Sequence, residues 1–81
     1  MNIKELNMLS RNLKEEIKKE GYKTYKKITL KDLRILIECF IKGDYKEVFE
    51  TKLYNNFSGE YCSCLSILNI WEHEGIIKQC I

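Results

Sequence analysis

The apolar residues near the start of the chain recur at steps of three and four, and this spacing predicts an amphipathic helix over residues 3–20. Asn2 precedes the first of them and Glu5 follows three residues later, the spacing of a capping box. Gly21 suits the left-handed position that ends a helix. The helix would bury one face, formed by Ile3, Leu6, Leu9, Leu13 and Ile17.

A second helix is predicted from Thr29, as its N-cap with Asp32 in the box position, to about Lys42, followed by Gly43. Its apolar residues cover a broad face, which is typical of a central helix. They are Leu30, Leu33, Leu36, Ile37, Phe40 and Ile41.

Two more helices are predicted in the second half of the chain. Asp44 with Glu47 begins a short third helix, and its inward residues would be Val48, Phe49 and Leu53. The turn-rich segment 55–59 separates it from a fourth helix, from about Gly59 to Glu74, with Ser58 as N-cap and Gly75 closing it. The apolar stripe of this helix is Tyr61, Cys64, Leu65, Leu68 and Trp71.

The remaining segments, 22–28 and 76–81, predict two short strands. The first carries two tyrosines, a threonine and an isoleucine without helical spacing, and the second is short and partly apolar. Pairing them antiparallel avoids two open edges. The predicted fold is therefore one mainly α domain, residues 1–81, with four helices and a two-stranded antiparallel sheet in the order α-β-α-α-α-β. Its predicted core is Leu6, Leu9, Leu13, Leu33, Leu36, Ile37, Phe40, Phe49, Leu65, Leu68 and Trp71.

Charge is divided unevenly along the chain. Residues 1–34 carry ten lysines and arginines against five acids, whereas residues 35–81 carry four against seven. Such a division is typical of a protein that binds through surface charge. No apolar run approaches the ~18 residues of a membrane span, and the N-terminal residues lack the apolar run of a signal peptide. We therefore expect a cytosolic protein without a membrane partner.

Four cysteines are present, Cys39, Cys62, Cys64 and Cys80. An even number in a short chain would fit disulfides in a secreted protein, but in a reducing cytosol we expect free thiols. Zinc would need Cys62, Cys64, His73 and Cys80 to converge, and two cysteines spaced by one residue point apart on a helix. We predict neither metal nor cofactor.

Catalysis has few candidate residues. A cysteine paired with His73 is the one nucleophile arrangement available, and no flanking signature accompanies it. A pocket of useful size is also hard to build within so short a chain. We therefore predict a protein that is not an enzyme.

The basic tract, residues 18–27, is the clearest functional signal. Lysines alternate with tyrosines there, a composition that suits docking on an acidic protein, binding of a nucleic acid, or simply a solvated strand edge. The acidic fourth helix is a second candidate surface, since it can mimic nucleic-acid charge. The partner-binding residues are predicted to be Lys18, Lys19, Tyr22, Lys23, Tyr25, Lys26, Lys27, Lys31, Glu60, Glu72 and Glu74.

Residues 30–77 resemble a winged-helix or helix-turn-helix domain, through three successive helices and the run Leu65–Trp71 leading to Gly75-Ile-Ile77. The resemblance implies a third helix that reads DNA in the major groove. Residues 59–74 contain no lysine or arginine, so no DNA-reading residue is carried over.

By type, the chain is similar to small phage-encoded inhibitors such as anti-CRISPR proteins, which implies binding to a larger complex. We therefore expect a binding protein that blocks or adapts a protein partner, with nucleic-acid binding as the alternative. A homodimer through the helix 3–20 is a further expectation.

Overall fold

A computed structural model describes residues 1–79. Four α-helices form it: α1 (Ile3–Lys19), α2 (Leu30–Lys42), α3 (Lys52–Asn56) and α4 (Ser58–His73). Two 3-10 turns join them, one at Lys23–Lys27, which we call the basic turn, and one at Val48–Glu50. α2 packs along α1, α4 packs on α1 and α3, and the core lies between them.

The predicted sheet is wrong, because residues 1–79 contain no strand. In the segment 22–28, the amide of Tyr25 donates to the carbonyl of Tyr22, and the amide of Ile28 donates to that of Tyr25. These local bonds satisfy the backbone within the turn, and no second strand is needed. Residues 76–79 are irregular, and the last two residues of the predicted second strand lie outside the described part of the chain.

Both ends of α1 follow the sequence prediction. The side chain of Asn2 accepts a hydrogen bond from the amide of Glu5 at 2.9 Å. At the other end Gly21 has φ +93°, and the amides of Gly21 and Tyr22 donate to the carbonyls of Lys18 and Ile17. This is a Schellman ending, and it turns the chain back toward the core.

α2 begins and ends as predicted, and it packs against α1, α3 and the second 3-10 turn. The Thr29 side chain accepts from the amide of Asp32 at 3.2 Å, and the chain leaves the helix at Gly43, where φ is +74°. Within α2, Leu33, Leu36 and Ile37 are completely buried, whereas Leu30 is 39% exposed.

The third helix differs from its prediction. Asp44 and Glu47 do not begin it; instead Thr51 caps the short α3, accepting from the amide of Tyr54 at 3.2 Å. Val48 and Leu53 point inward as predicted, but the prediction that Phe49 belongs to the core is wrong, since 49% of it is exposed.

α4 begins one residue earlier than predicted, so Ser58 lies inside the helix and does not cap it. Ile67 is buried although the sequence analysis did not place it in the core, and Leu65 is only half-buried. Gly75, with φ +78°, ends the helix as predicted. Ile77 then returns to the core, and the Gln79 side chain donates to the carbonyl of Phe40 at 3.2 Å.

Candidate macromolecule-binding surface

The basic turn is fixed to α4 by side-chain hydrogen bonds. The Tyr22 hydroxyl lies 2.8 Å from the Ser63 Oγ and donates a longer bond, 3.4 Å, to the carbonyl of Gly59. The Thr24 hydroxyl donates to the Glu60 Oε2 at 2.6 Å. These contacts join parts of the chain that are far apart in sequence, and they hold the turn against the first half of α4.

Five lysines surround this anchored turn, and all five are exposed. Within residues 1–79 none of them lies within ion-pair distance of an acid; the ion pairs found there are Lys19–Glu16 and Lys42–Glu38. We call this set the lysine surface; it consists of Lys18, Lys23, Lys26, Lys27 and Lys31. None of its five charges is therefore held in an ion pair within the described residues.

The two tyrosines of the basic tract serve the fold. Tyr22 and Tyr25 are partly buried and pack against the core. The Tyr22 hydroxyl is bonded to α4, and the Lys18 Nζ lies 5.5 Å from the centre of the Tyr25 ring, a cation–π arrangement. Neither ring is therefore free to stack on a base in the way that single-strand binders use aromatic residues.

The predicted acidic residues of α4 are not brought together. Glu60 is 8% exposed, and its carboxylate faces Thr24 on the basic turn. Glu72 and Glu74 lie at the opposite end of the helix, about 18 Å or more from Glu60 along the axis at about 1.5 Å per residue. Glu72 is half-buried and Glu74 is exposed.

The apolar face of α1, through which a homodimer was expected, is used within the chain. Leu6, Leu9, Leu13 and Ile17 are all buried in the core. Ile3 is the exception, being 61% exposed. Most of this face is therefore covered by α2 and α4 of the same chain.

The cysteines are dispersed. Cys39 and Cys64 are buried, Cys62 is exposed, and Cys80 lies outside the described residues. Nowhere in residues 1–79 do three His, Cys, Asp or Glu side chains gather as they would around a metal ion. His73 is exposed at the end of α4, about 14 Å from Cys64 along the helix axis, too far for that pair to act together.

Thiol reactivity should follow burial. Burial in α4 raises the pKa of the Cys64 thiol to about 12, and burial also raises that of Cys39. Because the thiolate is the reactive form, we expect only Cys62 to react rapidly with a disulfide reagent in the folded Cys80→Ser variant. A Cys62→Ser, Cys80→Ser variant is the control and should show no fast phase. Rapid reaction of Cys64 would contradict its placement in the core.

Sequence reasoning missed a cluster of partly exposed aromatic rings on the side of α4 opposite the basic turn. The Phe49 and Tyr54 ring centres lie 4.8 Å apart, and those of Tyr54 and Tyr61 lie 5.1 Å apart, edge to face. Burial raises the pKa of the Tyr61 phenol, and the nearby hydroxyls of Tyr45 and Tyr54 raise it further. We call Tyr45, Phe49, Tyr54 and Tyr61 the aromatic surface. The signal available in the sequence is five aromatic residues within seventeen positions, Phe57 included, but the prediction puts Phe49 in the core.

None of the helices in the described part of the chain is both long enough and apolar enough to cross a membrane. Comparison of the chain with protein-family models, curated proteins and solved structures found no match.

Proposed function

We propose that this protein is a non-catalytic binding protein that docks through the lysine surface on an acidic face of a larger protein and blocks or adapts that partner. The observation that carries the proposal is the group of five exposed lysines, unpaired within residues 1–79, on and around a turn that is bonded to α4.

The anchoring of the turn favours recognition. A loop that is already ordered loses less conformational entropy on binding than a mobile one. The hydrogen bonds from Tyr22 and Thr24 to α4 supply that order before any partner arrives. Unpaired lysines also accelerate association with an acidic partner by electrostatic steering.

The wider role that we propose is inhibition or adaptation of a larger complex inside the cell, as small phage-encoded inhibitors of host defence do. A short chain that occupies a surface needs no catalytic group. The separation of His73 from Cys64 and the burial of Cys64 are consistent with such a role.

Nucleic-acid binding is the second candidate, because the same lysines could contact phosphates. Three observations favour protein docking over nucleic-acid binding. The Tyr22 and Tyr25 rings are occupied by intramolecular contacts, and α4, the counterpart of a recognition helix, carries no lysine or arginine. α3, the counterpart of the helix that precedes a recognition helix, is also only five residues long.

Charge reversal tests the proposal. The variant Lys23→Glu, Lys26→Glu, Lys27→Glu should fold normally, because these side chains are exposed, but it should lose capture of its partner from an extract of the native host by at least about tenfold. The control Lys4→Glu, Arg11→Glu, Lys78→Glu changes net charge by the same amount at exposed positions outside the lysine surface and the aromatic surface. Equal capture by both variants, measured by quantitative mass spectrometry, would contradict docking through the lysine surface.

The same two charge-reversal variants also distinguish a protein partner from a nucleic-acid partner. If a nucleic acid were the partner, log K would fall by about 0.7–0.9 per phosphate contact against log salt. We expect no such binding to a labelled duplex or single strand at low salt. Tight, steeply salt-dependent binding that only the first variant abolishes would instead support the nucleic-acid function.

A further inference from the structure

The rings of the aromatic surface contact one another and are also partly exposed to solvent. Phe49 is 49% exposed and Tyr54 is 39% exposed, while Tyr45 and Tyr61 are partly buried beside them. Exposed aromatic residues that touch one another are more typical of interaction sites than of ordinary surface. The backbone beneath them is held in place, because the Asn55 side chain donates to the carbonyls of Phe49 and Thr51 at 3.0 Å and 2.8 Å.

The surroundings of these rings carry net negative charge. Glu47 and Glu50 are exposed in the stretch 44–52. Burial raises the pKa of the Tyr45 phenol, and the nearby Cys39 thiol and Glu72 carboxylate raise it further. Counting Asp44, four acids lie on or beside residues 44–52, where the lysines are Lys46 and Lys52. Of the lysine surface, Lys31 borders this region, since it lines one cavity with Glu47, Glu50 and Lys52.

We propose that the aromatic surface is a docking site for an arginine-bearing segment of a protein partner. A guanidinium group stacks on aromatic faces and also forms paired hydrogen bonds with a carboxylate. Phe49 and Tyr54 supply the rings, and Glu47 and Glu50, exposed in the same stretch of chain, supply carboxylates. A lysine ammonium is more strongly hydrated and lacks the planar fork, so it gains less from the same surroundings. A nucleic acid is disfavoured by the negative charge.

The test is a titration of the 15N-labelled chain with an acetylated peptide that contains four arginines separated by glycines. A peptide with four lysines in the same positions is the comparison. We expect saturable shifts of amide signals in residues 45–61, with binding of the arginine peptide at least about threefold tighter. Equal binding of the two peptides, shifts centred elsewhere, or no saturable shift would overturn the proposal.

A paired substitution separates ring chemistry from general apolar character. Phe49→Leu with Tyr54→Leu keeps apolar bulk but removes the aromatic faces, and should weaken binding of the arginine peptide by about fivefold or more. The control Ile70→Ala removes an exposed apolar side chain about 180° around α4 from Tyr61 and should leave binding unchanged. A dispersed amide spectrum verifies folding; if the paired variant does not fold, Tyr54→Leu alone replaces it and should weaken binding at least about twofold.

Other occupants of the aromatic surface would be seen in the same spectra. Shifts of residues 45–61 that depend on protein concentration without peptide would show a second copy of the chain there. Saturable shifts of these residues with a ten-nucleotide deoxythymidine strand would show a nucleic acid. Either result would overturn the proposal.

Discussion

Replacing Leu36 with alanine is expected to lower the free energy of unfolding by about 2–5 kcal/mol. Leu36 lies in the middle of α2 and is completely buried in the core. The substitution removes apolar contacts and leaves a cavity that the surrounding helices fill only in part. Since a domain of this length has a total stability of roughly 4–12 kcal/mol, such a loss removes a substantial part of it and would unfold the chain at the lower end of that range.

Urea unfolding followed by Trp71 fluorescence measures this loss. Leu30→Ala is the matched control, because it makes the same chemical change in the same helix at a side chain that is 39% exposed. It should cost less than about 1 kcal/mol. A loss below about half a kilocalorie per mole at Leu36 would show that this residue is not in the core.

Replacing Thr24 with valine is expected to cost about 1–3 kcal/mol, because it leaves the buried carboxylate of Glu60 without its hydroxyl donor. The bond that is lost has a length of 2.6 Å, and it joins the basic turn to α4. Thr24→Ser keeps the hydroxyl and is the control. Thermal and urea unfolding of the two variants compare the effect directly.

A double variant shows whether the cost comes from the unpaired carboxylate. Thr24→Val combined with Glu60→Leu removes donor and acceptor together, a change that is often nearly neutral. We therefore expect the double variant to recover most of the stability that Thr24→Val loses. If the losses of stability caused by Thr24→Val alone and by Glu60→Leu alone simply add in the double variant, Thr24 and Glu60 are not coupled. The bond then contributes little to the fold.

Helices α1, α2 and α4 were predictable because their signals are local. The caps at Asn2 and Thr29 and the glycines Gly21 and Gly75 act within a few residues of the helix ends, so their spacing can be read directly from the chain. The burial of Leu13, Leu36 and Leu68 follows from helical periodicity alone.

The basic turn was not predictable in the same way. Tyrosine and threonine favour strands only where a neighbouring strand and a packed face are present. Here their hydroxyls find partners on α4, at Ser63 and Glu60, much later in the chain. No local sequence pattern indicates such a pairing, so residues 22–28 were predicted to be a strand.

Only part of the candidate site could be predicted, because only part of it has a local sequence signal. The lysines were identified from composition, and they are exposed. Glu60 was taken for a surface charge because its sequence neighbours give no sign of burial. Phe49 was placed in the core because aromatic residues usually are, although the 3-10 turn before α3 directs it outward.

The attachment of the basic turn has a consequence for how this surface can evolve. Tyr22 and Thr24 form the contacts with α4, whereas the neighbouring Lys23, Lys26 and Lys27 make none of those hydrogen bonds. Substitutions at exposed positions away from such contacts usually change stability by less than about 0.5 kcal/mol. Mutation can therefore alter the charge of this surface while the supporting structure is retained. Under the proposed function, the preferred partner could change without a more stable fold first being acquired.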